Sequence, residues 1–463
     1  MKFIIGNSAV NELDKSKFLG FTIDADQFEG DYHTSCLEEL NNEKVINLCR
    51  ELRPATIRIG GSGIEKMYFL DKDPEGNKPL PENFHFSMDK EKCDALGEFC
   101  KKVGAELMLS FPVKYGDVEN ATRFADYFIN VRKDQVPFLE FGNEPDWGWG
   151  ELVTTYPEKV RKFYEAMTPL FPGKQWIAGY GGRNFPGGVC SPDNTEYMNL
   201  LKECGDFIDI FSAHYYVTSS RKPYASLELM MGEFGANIEN SRINDLRGLF
   251  ELFGLNKQVA INEFNSFANK GLEGVSTTMA AATWLADFIG NLAKSGAYVN
   301  NIQCGFAKHH GDQPFWRYSM IDTRDGQCRV KPHYYAFYLW SRMMGSKVLP
   351  VYAPPSHPVT VHATLSEENA DEVCILVVNK DLKDSVDVCV RVLDRCIDRS
   401  IQTYELCAES PTSEFAGING ITVNEDGIMN KIMPLEEGTI FEGSINVSVK
   451  PCSVKLIKAV MKK

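Results

Sequence analysis

The chain has 463 residues, of which 43% are hydrophobic and 24% charged, with a net charge of −14. These proportions are ordinary for a globular protein and allow a large buried core. The acidic balance argues against nucleic acid as a partner, because binding phosphates requires a basic face. No apolar run reaches the roughly 18 residues that a membrane span requires, so no span is expected.

Eight apolar, strand-like runs alternate with helical patterns between residues 18 and 306. This alternation predicts a (β/α)8 TIM barrel rather than an open doubly wound sheet. No nucleotide-binding glycine motif follows any of the runs. The predicted strands are Phe18–Asp24, Ala55–Gly61, Glu106–Phe111, Val136–Phe141, Gln175–Tyr180, Phe207–His214, Gln258–Phe264 and Asn301–Phe306.

The pattern changes after a predicted helix at 332–344, where runs with a period of two residues begin. Such runs, separated by turn residues, predict a C-terminal β-sandwich domain. We expect a catalytic barrel at 16–345 and the sandwich at 346–463, with residues 1–15 adding a strand to the sandwich. The predicted sandwich strands are Val359–Leu365, Glu372–Asn379, Ser385–Val392, Ile445–Val449 and Ser453–Ile457.

The N-terminus and the cysteines give weaker information. The apolar part of Met1–Gly6 is too short for a secretory signal, and the compartment stays open. The 13 cysteines include no Cys-x-x-Cys pair, so a thiolate metal site is not expected. The sequence therefore predicts no metal and no organic cofactor, and it does not indicate an oligomeric state.

Glu144 is the first candidate catalytic residue. It follows the buried strand Val136–Phe141 in the sequence Gly-Asn-Glu-Pro, at the end of a barrel strand where active sites are built. A catalytic acid needs a raised pKa, which Phe141, Trp147 and Trp149 could help to provide through apolar surroundings. The alternative is a glutamate that only forms an ion pair at the strand end.

Glu263 is the second candidate, and it lies 119 residues after Glu144, in the seventh predicted strand. Two carboxylates about 5–5.5 Å apart are the arrangement of a retaining glycoside hydrolase. Glu263 would then be the nucleophile and Glu144 the general acid and base. The alternative for Glu263 is again an ordinary ion pair.

Two further motifs place polar groups near these carboxylates. His214-Tyr215-Tyr216 ends the sixth predicted strand, and a tyrosine there could donate to the nucleophile, although core packing is the alternative for at least one of the three. Arg58 lies inside the second predicted strand, where a buried cation needs a carboxylate partner. It is either an electrostatic support of the site or a structural ion pair.

These motifs together resemble the heparanase/β-glucuronidase family of clan A glycoside hydrolases. The resemblance covers nearly the whole chain, and it is carried by motifs that occur in the same order. They are Phe21–Ala25, Arg58–Gly61, Gly142–Pro145, His214–Tyr216, the interval to Glu263, and Tyr318–Asp322 with Tyr334 and the helix that ends near Gly345.

The resemblance implies a retaining β-glucuronidase acting on uronate-containing glycans or glycosides, with Glu144 as acid and base and Glu263 as nucleophile. It implies that Asn143 binds the sugar 2-hydroxyl and that Asp24 holds hydroxyls on the far side of the ring. Tyr215 would orient Glu263, and Tyr318 would approach the uronate carboxylate. Ser62, which follows Arg58–Gly61, is also expected to bind substrate, and Arg58 and His214 would give electrostatic support.

The loop after Glu263 departs from the family. Where the family carries adjacent glycines whose amides bind the uronate, this chain reads Phe264–Gly271 without them. Other backbone amides or the charge of Lys270 could replace them. Two alternatives therefore stay open: a clan A β-glycosidase for neutral sugars such as a xyloside or glucoside, and an inactive carbohydrate-binding protein on the same scaffold.

Overall fold

A computed structural model describes residues 1–462, except residue 32 and the segments 71–79, 182–194, 310–315, 325–326 and 354–357. Eight parallel strands close into a barrel in which the last strand pairs with the first. In chain order these strands are β3 (Leu19–Asp24), β4 (Thr56–Gly60), β7 (Glu106–Phe111), β8 (Phe138–Phe141), β9 (Gln175–Tyr180), β10 (Ile210–Ser219), β11 (Gln258–Ala268) and β12 (Val299–Gln303).

Helices follow the barrel strands and cover their outer side. They are α1 (Leu37–Leu40), α2 (Glu43–Leu52), α3 (Lys90–Val103), α4 (Val118–Asp126), α5 (Pro145–Gly148), α6 (Tyr156–Met167), α7 (Thr195–Cys204), α8 (Leu227–Met231), α9 (Asn244–Leu252), α10 (Met279–Ser295) and α11 (Pro332–Tyr338). Among the described helices, none is both long and apolar enough to cross a membrane.

Two antiparallel-rich sheets form a C-terminal β-sandwich. Their strands are β1 (Lys2–Ile5), β2 (Asn11–Glu12), β16 (Lys347–Leu349), β17 (Val351–Tyr352), β18 (Val359–Leu365), β19 (Glu372–Asn379), β20 (Val386–Val392), β21 (Cys396–Cys407), β22 (Gly417–Ile418), β23 (Thr439–Phe441), β24 (Ser444–Val449) and β25 (Ser453–Lys462). One sheet has the order β17-β1-β20-β24-β23, and the other has the order β2-β16-β18-β19-β25-β21-β22.

The sandwich has its own apolar core, because alternate side chains of both sheets point inward. Val390 and Ile445 from one sheet pack in the same buried cluster as Ile375 and Ile457 from the other, together with Phe3 of β1. Short strands complete the fold: β5 (Met67–Leu70) pairs with β6 (Phe86–Asp89), and β14 (Ile321–Arg324) pairs with β13 (Phe306–His309) and β15 (Gln327–Val330).

The predicted fold class, a TIM barrel with a C-terminal β-sandwich, is confirmed. β1 pairs with β20 and β17, and β2 pairs with β16, so both N-terminal strands lie in the sandwich sheets. The boundaries at residues 15 and 345 stay a prediction. The long strand β21 was not predicted from the sequence.

Candidate active site

The two candidate glutamates meet at the carboxyl ends of the barrel strands. Glu144 follows β8, and Glu263 lies within β11, in register with His214 of β10. One carboxylate oxygen of Glu144, one of Glu263 and a ring nitrogen of His214 lie within 4.8 Å of one another. This closeness follows from the parallel barrel, because all eight strands end at the same rim.

Glu144 occupies a strained turn. It has a left-handed backbone with φ of 44°, and Pro145 begins α5 directly after it. Its Oε1 lies 2.8 Å from Nδ1 of His214. Burial raises the pKa of the Glu144 carboxyl, the nearby Glu263 adds to the rise, and the contact with His214 opposes it. A carboxyl with a raised pKa in a buried pocket can act as a general acid.

The aromatic residues after Glu144 differ in their surroundings. Trp149 is buried, whereas Trp147 is 56% exposed. Because Trp147 is so exposed, the structure does not support the expectation that its ring provides apolar surroundings for the Glu144 carboxyl. Trp147 lies in α5, and its backbone N–H donates to the Glu144 carbonyl at 2.9 Å.

Glu263 is surrounded by donors. Nη1 of Arg58 lies 3.1 Å from its Oε2, and the Tyr216 hydroxyl donates to its Oε1 at 2.8 Å. Nδ1 of His214 is 3.8 Å from its Oε2. Burial alone would raise the pKa of Glu263, but His214, Arg58 and Tyr216 outweigh burial and hold this pKa below its usual range. The carboxylate is thus kept ionised, as a nucleophile requires.

The hydrogen bond to Glu263 corrects the assignment of Tyr215. Its hydroxyl donates to the carbonyls of Phe234 and Gly235, at 3.1 Å each, and its ring packs against Phe288. Successive residues of a strand point to opposite sides, so His214 and Tyr216 face the pocket while Tyr215 faces the helices. Tyr216, and not Tyr215, makes the hydrogen bond to Glu263.

Arg58 is fully buried at the centre of the barrel and joins three partners. Its Nε donates to Oε2 of Glu140 at 2.7 Å, its Nη1 to Glu263, and its Nη2 to Oδ1 of Asn143 at 2.8 Å. Ser110 and Asn262 also donate to Glu140. Two carboxylates therefore neutralise one guanidinium, which fixes the positions of Glu263 and Asn143.

Asn143 and Asp24 differ in their hydrogen bonding, because both oxygens of Asp24 accept hydrogen bonds from the protein whereas one polar atom of Asn143 has no described partner. The buried Nδ2 of Asn143 has no hydrogen-bond partner among the described residues, and a substrate hydroxyl could supply one. Asp24 accepts from Nε2 of Gln303 at 2.7 Å. Burial, with the charges of Asp26 and Glu263, raises the pKa of Asp24 well above its usual range.

Tyr318 lies beside Tyr216, and the Lys270 backbone contacts Tyr318. The Tyr318 ring is 6.3 Å from the Tyr216 ring and 6.0 Å from the ring of Trp316. Nζ of Lys270 lies 5.3 Å from the centre of the Trp316 ring. Burial raises the pKa of Tyr318 well above its usual range, and a hydrogen bond from the Lys270 backbone opposes this rise. The structure thus brings Tyr318 and Lys270 together.

Ser62 is the predicted residue with the least support. It begins the 3-10 helix Ser62–Lys66 after β4 and is exposed. In the described part of the chain, no hydrogen bond joins its hydroxyl to the groups above. Its role in substrate binding stays a prediction.

The sequence patterns do not single out several residues of the site: Glu65, Ser110, Glu140, Asn262 and Gln303. Glu140 has the clearest signal, because it is a charged residue inside the buried run Phe138–Phe141. A carboxylate there requires a partner, and Arg58 in another predicted strand could have been matched to it. Gln303 ends the eighth barrel strand, a position that is typical of substrate contacts.

Glu144, His214 and Glu263 also form a set of donors that could hold a divalent cation. Each of them already has a protein partner, since His214 contacts Glu144, and Glu263 contacts Arg58 and Tyr216. The positive charge of Arg58 beside Glu263 works against a second cation at the same carboxylate. The arrangement fits an acid and nucleophile pair better than a metal centre.

Comparisons with known proteins agree on the fold. No protein-family model matches the sequence. The chain is similar to an α-L-arabinofuranosidase from Thermotoga maritima in complex with arabinose, with a TM-score of 0.70, 16% identity and full coverage of both chains. It is also similar to a 4-O-α-L-rhamnosyl-β-D-glucuronidase from Fusarium oxysporum 12S, with a TM-score of 0.68, 14% identity and coverage of 99% and 100% of the two chains.

One curated protein is similar in sequence. Baicalin-β-D-glucuronidase from Scutellaria baicalensis is 20% identical over 388 residues, which cover 76% of this chain and 70% of the relative. At these identities the likenesses to solved structures establish the fold alone. The chain has the barrel and C-terminal β domain of these glycosidases, and its activity has to be inferred from the site.

Proposed function

We propose that this protein is a retaining β-glycoside hydrolase that acts on β-glucuronides or other uronate-containing glycans or glycosides. One observation carries the proposal: Glu144 and Glu263 approach within 4.8 Å while their surroundings shift their pKa values in opposite directions. Two carboxyls this close fit double displacement, since an inverting enzyme needs about 6.5–9.5 Å between them to admit water.

The first chemical step uses both groups at once. A carboxylate oxygen of Glu263 forms a bond to the anomeric carbon, while the bond from that carbon to the glycosidic oxygen breaks. Glu144 gives its proton to the departing oxygen, so the leaving group departs as a neutral alcohol or phenol. Arg58 and Tyr216 hold Glu263 in its ionised form before attack.

The second step reverses these roles. Glu144, now a carboxylate, takes a proton from a water molecule whose oxygen bonds to the anomeric carbon. The ester bond to Glu263 breaks, and Glu144 is protonated again for the next cycle. Burial raises the pKa of Glu144 and favours this return to the acid form. His214 contacts Glu144 and lies near Glu263, so it is placed to balance charge between them in both steps.

The preference for a uronate is supported by the loop after β11. Asn269, Lys270 and Gly271 all have left-handed backbones, with φ of 61°, 69° and 88°. This turn directs the Lys270 backbone toward the Tyr318 hydroxyl, beside the Glu263 pocket. The Tyr318 hydroxyl, which accepts the backbone N–H of Lys270, and the Lys270 ammonium can both donate to a carboxylate. The loop can therefore replace the adjacent glycines of the resembled family.

A neutral sugar is the second candidate, and the position of the Lys270 side chain supports it. The Lys270 ammonium lies over the Trp316 ring and is not joined to Tyr318 by a described ion pair or side-chain hydrogen bond. The similar solved structures also include several arabinofuranosidases. A pocket that binds a neutral pyranose or furanose would keep the mechanism and change only the specificity.

The proposal is tested by initial hydrolysis rates on 4-nitrophenyl glycosides. The panel contains β-glucuronide, β-galacturonide, β-glucoside, β-galactoside, β-xyloside and α-L-arabinofuranoside. We expect the highest kcat/KM on the β-glucuronide, and Lys270→Ala should reduce this value more than the value on neutral sugars. Preference for a neutral sugar would overturn the uronate specificity. No hydrolysis of any aryl glycoside or uronate polymer would favour the inactive binding protein.

A further inference from the structure

Glu65 links three barrel strands just beneath the catalytic turn. It lies on the 3-10 helix Ser62–Lys66 that follows β4, and only 7% of the residue is exposed. Its Oε1 accepts the backbone N–H of Asn143 at 3.2 Å, and its Oε2 accepts the backbone N–H of Lys114 at 2.8 Å. Lys114 follows β7 and Asn143 follows β8, so one carboxylate joins the ends of β4, β7 and β8.

The turn that Glu65 contacts has an unfavourable backbone. Gly142 and Glu144 have left-handed φ angles of 73° and 44°, a region that glycine tolerates and a glutamate rarely adopts. A Cβ atom at Gly142 would lie 2.9 Å from Oε1 of Glu65, which shows how closely this carboxylate packs against the turn. Such a conformation persists only where its surroundings hold it.

Glu65 acts on one part of the site in particular. The Asn143 N–H that it binds lies between the two left-handed residues, and the Asn143 side chain is held separately by Arg58. The nucleophile Glu263 is held by Arg58 and Tyr216. Loss of the Glu65 carboxylate would therefore loosen the direction of Glu144 and leave the supports of Glu263 in place.

We propose that Glu65 is a positioning residue that holds the Asn143–Glu144 turn so that Glu144 can protonate the leaving group. This inference rests on the proposed function and deepens it. An ionised carboxylate can accept both N–H groups with its two oxygens, whereas a protonated one has a hydroxyl that must donate. Burial raises the pKa of Glu65 to about 7, although the N–H groups of Lys114 and Asn143 and the charges of Lys114 and Lys159 lower it.

The test compares leaving groups that do or do not need a proton. The variant Glu65→Gln is assayed on a series of aryl β-glycosides of the sugar that the wild type prefers, from 2,4-dinitrophenyl to phenyl. We expect kcat/KM to fall about 10- to 100-fold on the phenyl glycoside and less than about threefold on the dinitrophenyl glycoside. Dinitrophenolate leaves without a proton, so its departure does not depend on Glu144.

The second step gives an independent measurement. Because Glu144 must also activate water, kcat of Glu65→Gln on the dinitrophenyl glycoside should fall, and azide should restore it by attacking the glycosyl-enzyme without a base. The matched control is Glu405→Gln, which alters a buried carboxylate of β21 in the sandwich. The control should change neither the dependence on the leaving group nor the response to azide.

Equal losses of kcat/KM across the whole aryl series would show that Glu65 only stabilises the fold, and this result would overturn the inference. Wild-type kinetics of Glu65→Gln on every aryl glycoside would overturn it as well. If Glu65→Gln is unfolded at the assay temperature, Glu65→Asp is assayed instead, because it keeps the charge. For this variant we expect a smaller loss of kcat/KM, again concentrated on the phenyl glycoside.

A wild type that hydrolyses no glycoside would overturn the proposed function itself. An active wild type with unchanged dependence on the leaving group in the variant contradicts the inference alone.

Discussion

Two buried charge networks in this protein can be compared, one at the centre of the barrel and one at its junction with the sandwich. At the centre, Arg58 joins Glu140 and Glu263. At the junction, Asp287 of α10 accepts from His362 at 2.9 Å and from Lys380 at 2.8 Å. Both networks pair buried charges, which would otherwise be strongly unfavourable.

The two networks differ in whether all of their polar groups have hydrogen-bond partners. Asp287 also accepts from Thr360 at 2.6 Å, so the carboxylate of the junction is saturated with donors from β18 and from the residue after β19. At the barrel centre, Nδ2 of Asn143 has no partner among the described residues, and Glu144 has a raised pKa. The saturated network joins the barrel to the sandwich, whereas the network at the barrel centre keeps polar groups that a bound substrate could use.

The largest expected effect is on catalysis. Glu263→Gln should lower kcat by about 10⁴-fold or more, and Glu144→Gln by about 10²- to 10⁴-fold on a phenyl glycoside. Both variants should remain folded, because Glu140 still pairs with Arg58 and His214 keeps a polar partner. Steady-state kinetics and thermal unfolding measure the two properties. Near-normal turnover in either variant would remove that glutamate from the mechanism.

The junction should show the opposite behaviour. Asp287→Asn leaves Lys380 without a counter-charge in a buried position, so we expect a loss of about 3–5 kcal/mol in the free energy of unfolding. Turnover per folded molecule should stay close to that of the wild type. Denaturant unfolding and kinetics at a temperature where the variant is folded measure the two effects. A large drop in kcat with little loss of stability would mean that the junction network also serves catalysis.

The adjacent tyrosines provide a finer comparison within one strand. Tyr216→Phe removes a hydrogen bond to the ionised Glu263, so kcat should fall about 10- to 100-fold. Tyr215→Phe removes bonds to the carbonyls of Phe234 and Gly235 and should affect stability while kcat stays near the wild-type value. Kinetics and melting temperatures of the two variants separate these effects. Reversed results would restore the role that the sequence predicted for Tyr215.

The smallest effect is on the pH profile. Activity requires ionised Glu263, whose pKa is held below its ordinary value of 4.5, and protonated Glu144, whose pKa is raised above it. The acidic limb that Glu263 sets in kcat/KM on a phenyl glycoside should therefore lie below pH 4.5, and the basic limb that Glu144 sets should lie above it.

In Tyr216→Phe the acidic limb of this profile should move to higher pH, because the ionised form of Glu263 loses a donor. On a dinitrophenyl glycoside the basic limb should weaken, since protonation of the leaving group is no longer needed. An acidic limb that stays in place in Tyr216→Phe would contradict the role of that hydroxyl.

Much of the fold followed from the sequence because barrel strands are short, apolar and regularly separated by helices. The same regularity placed Glu144 and Glu263 at the ends of strands. β21 was missed, because residues 396–407 mix charged, polar and apolar side chains without a clear period. Its pairing with β25 is a long-range interaction that local pattern does not contain.

The details of the site followed less well from the sequence. Tyr215 and Tyr216 are adjacent and chemically alike, and only the register of β10 against β11 decides which one faces Glu263. Glu65 looks like a surface residue of a short loop, and its two backbone partners come from other strands. Contacts between distant segments assign these roles.

Labelling of the nucleophile tests the account most directly. The protein is incubated with the 2-deoxy-2-fluoro glycosyl fluoride of its preferred sugar, digested and analysed by peptide mass spectrometry. The fluorine slows the second step, so a glycosyl ester should accumulate at Glu263, and turnover should stop as the ester forms. A label on another residue, or continued hydrolysis of the natural glycoside without any label, would contradict the assignment of Glu263 as the nucleophile of a retaining enzyme.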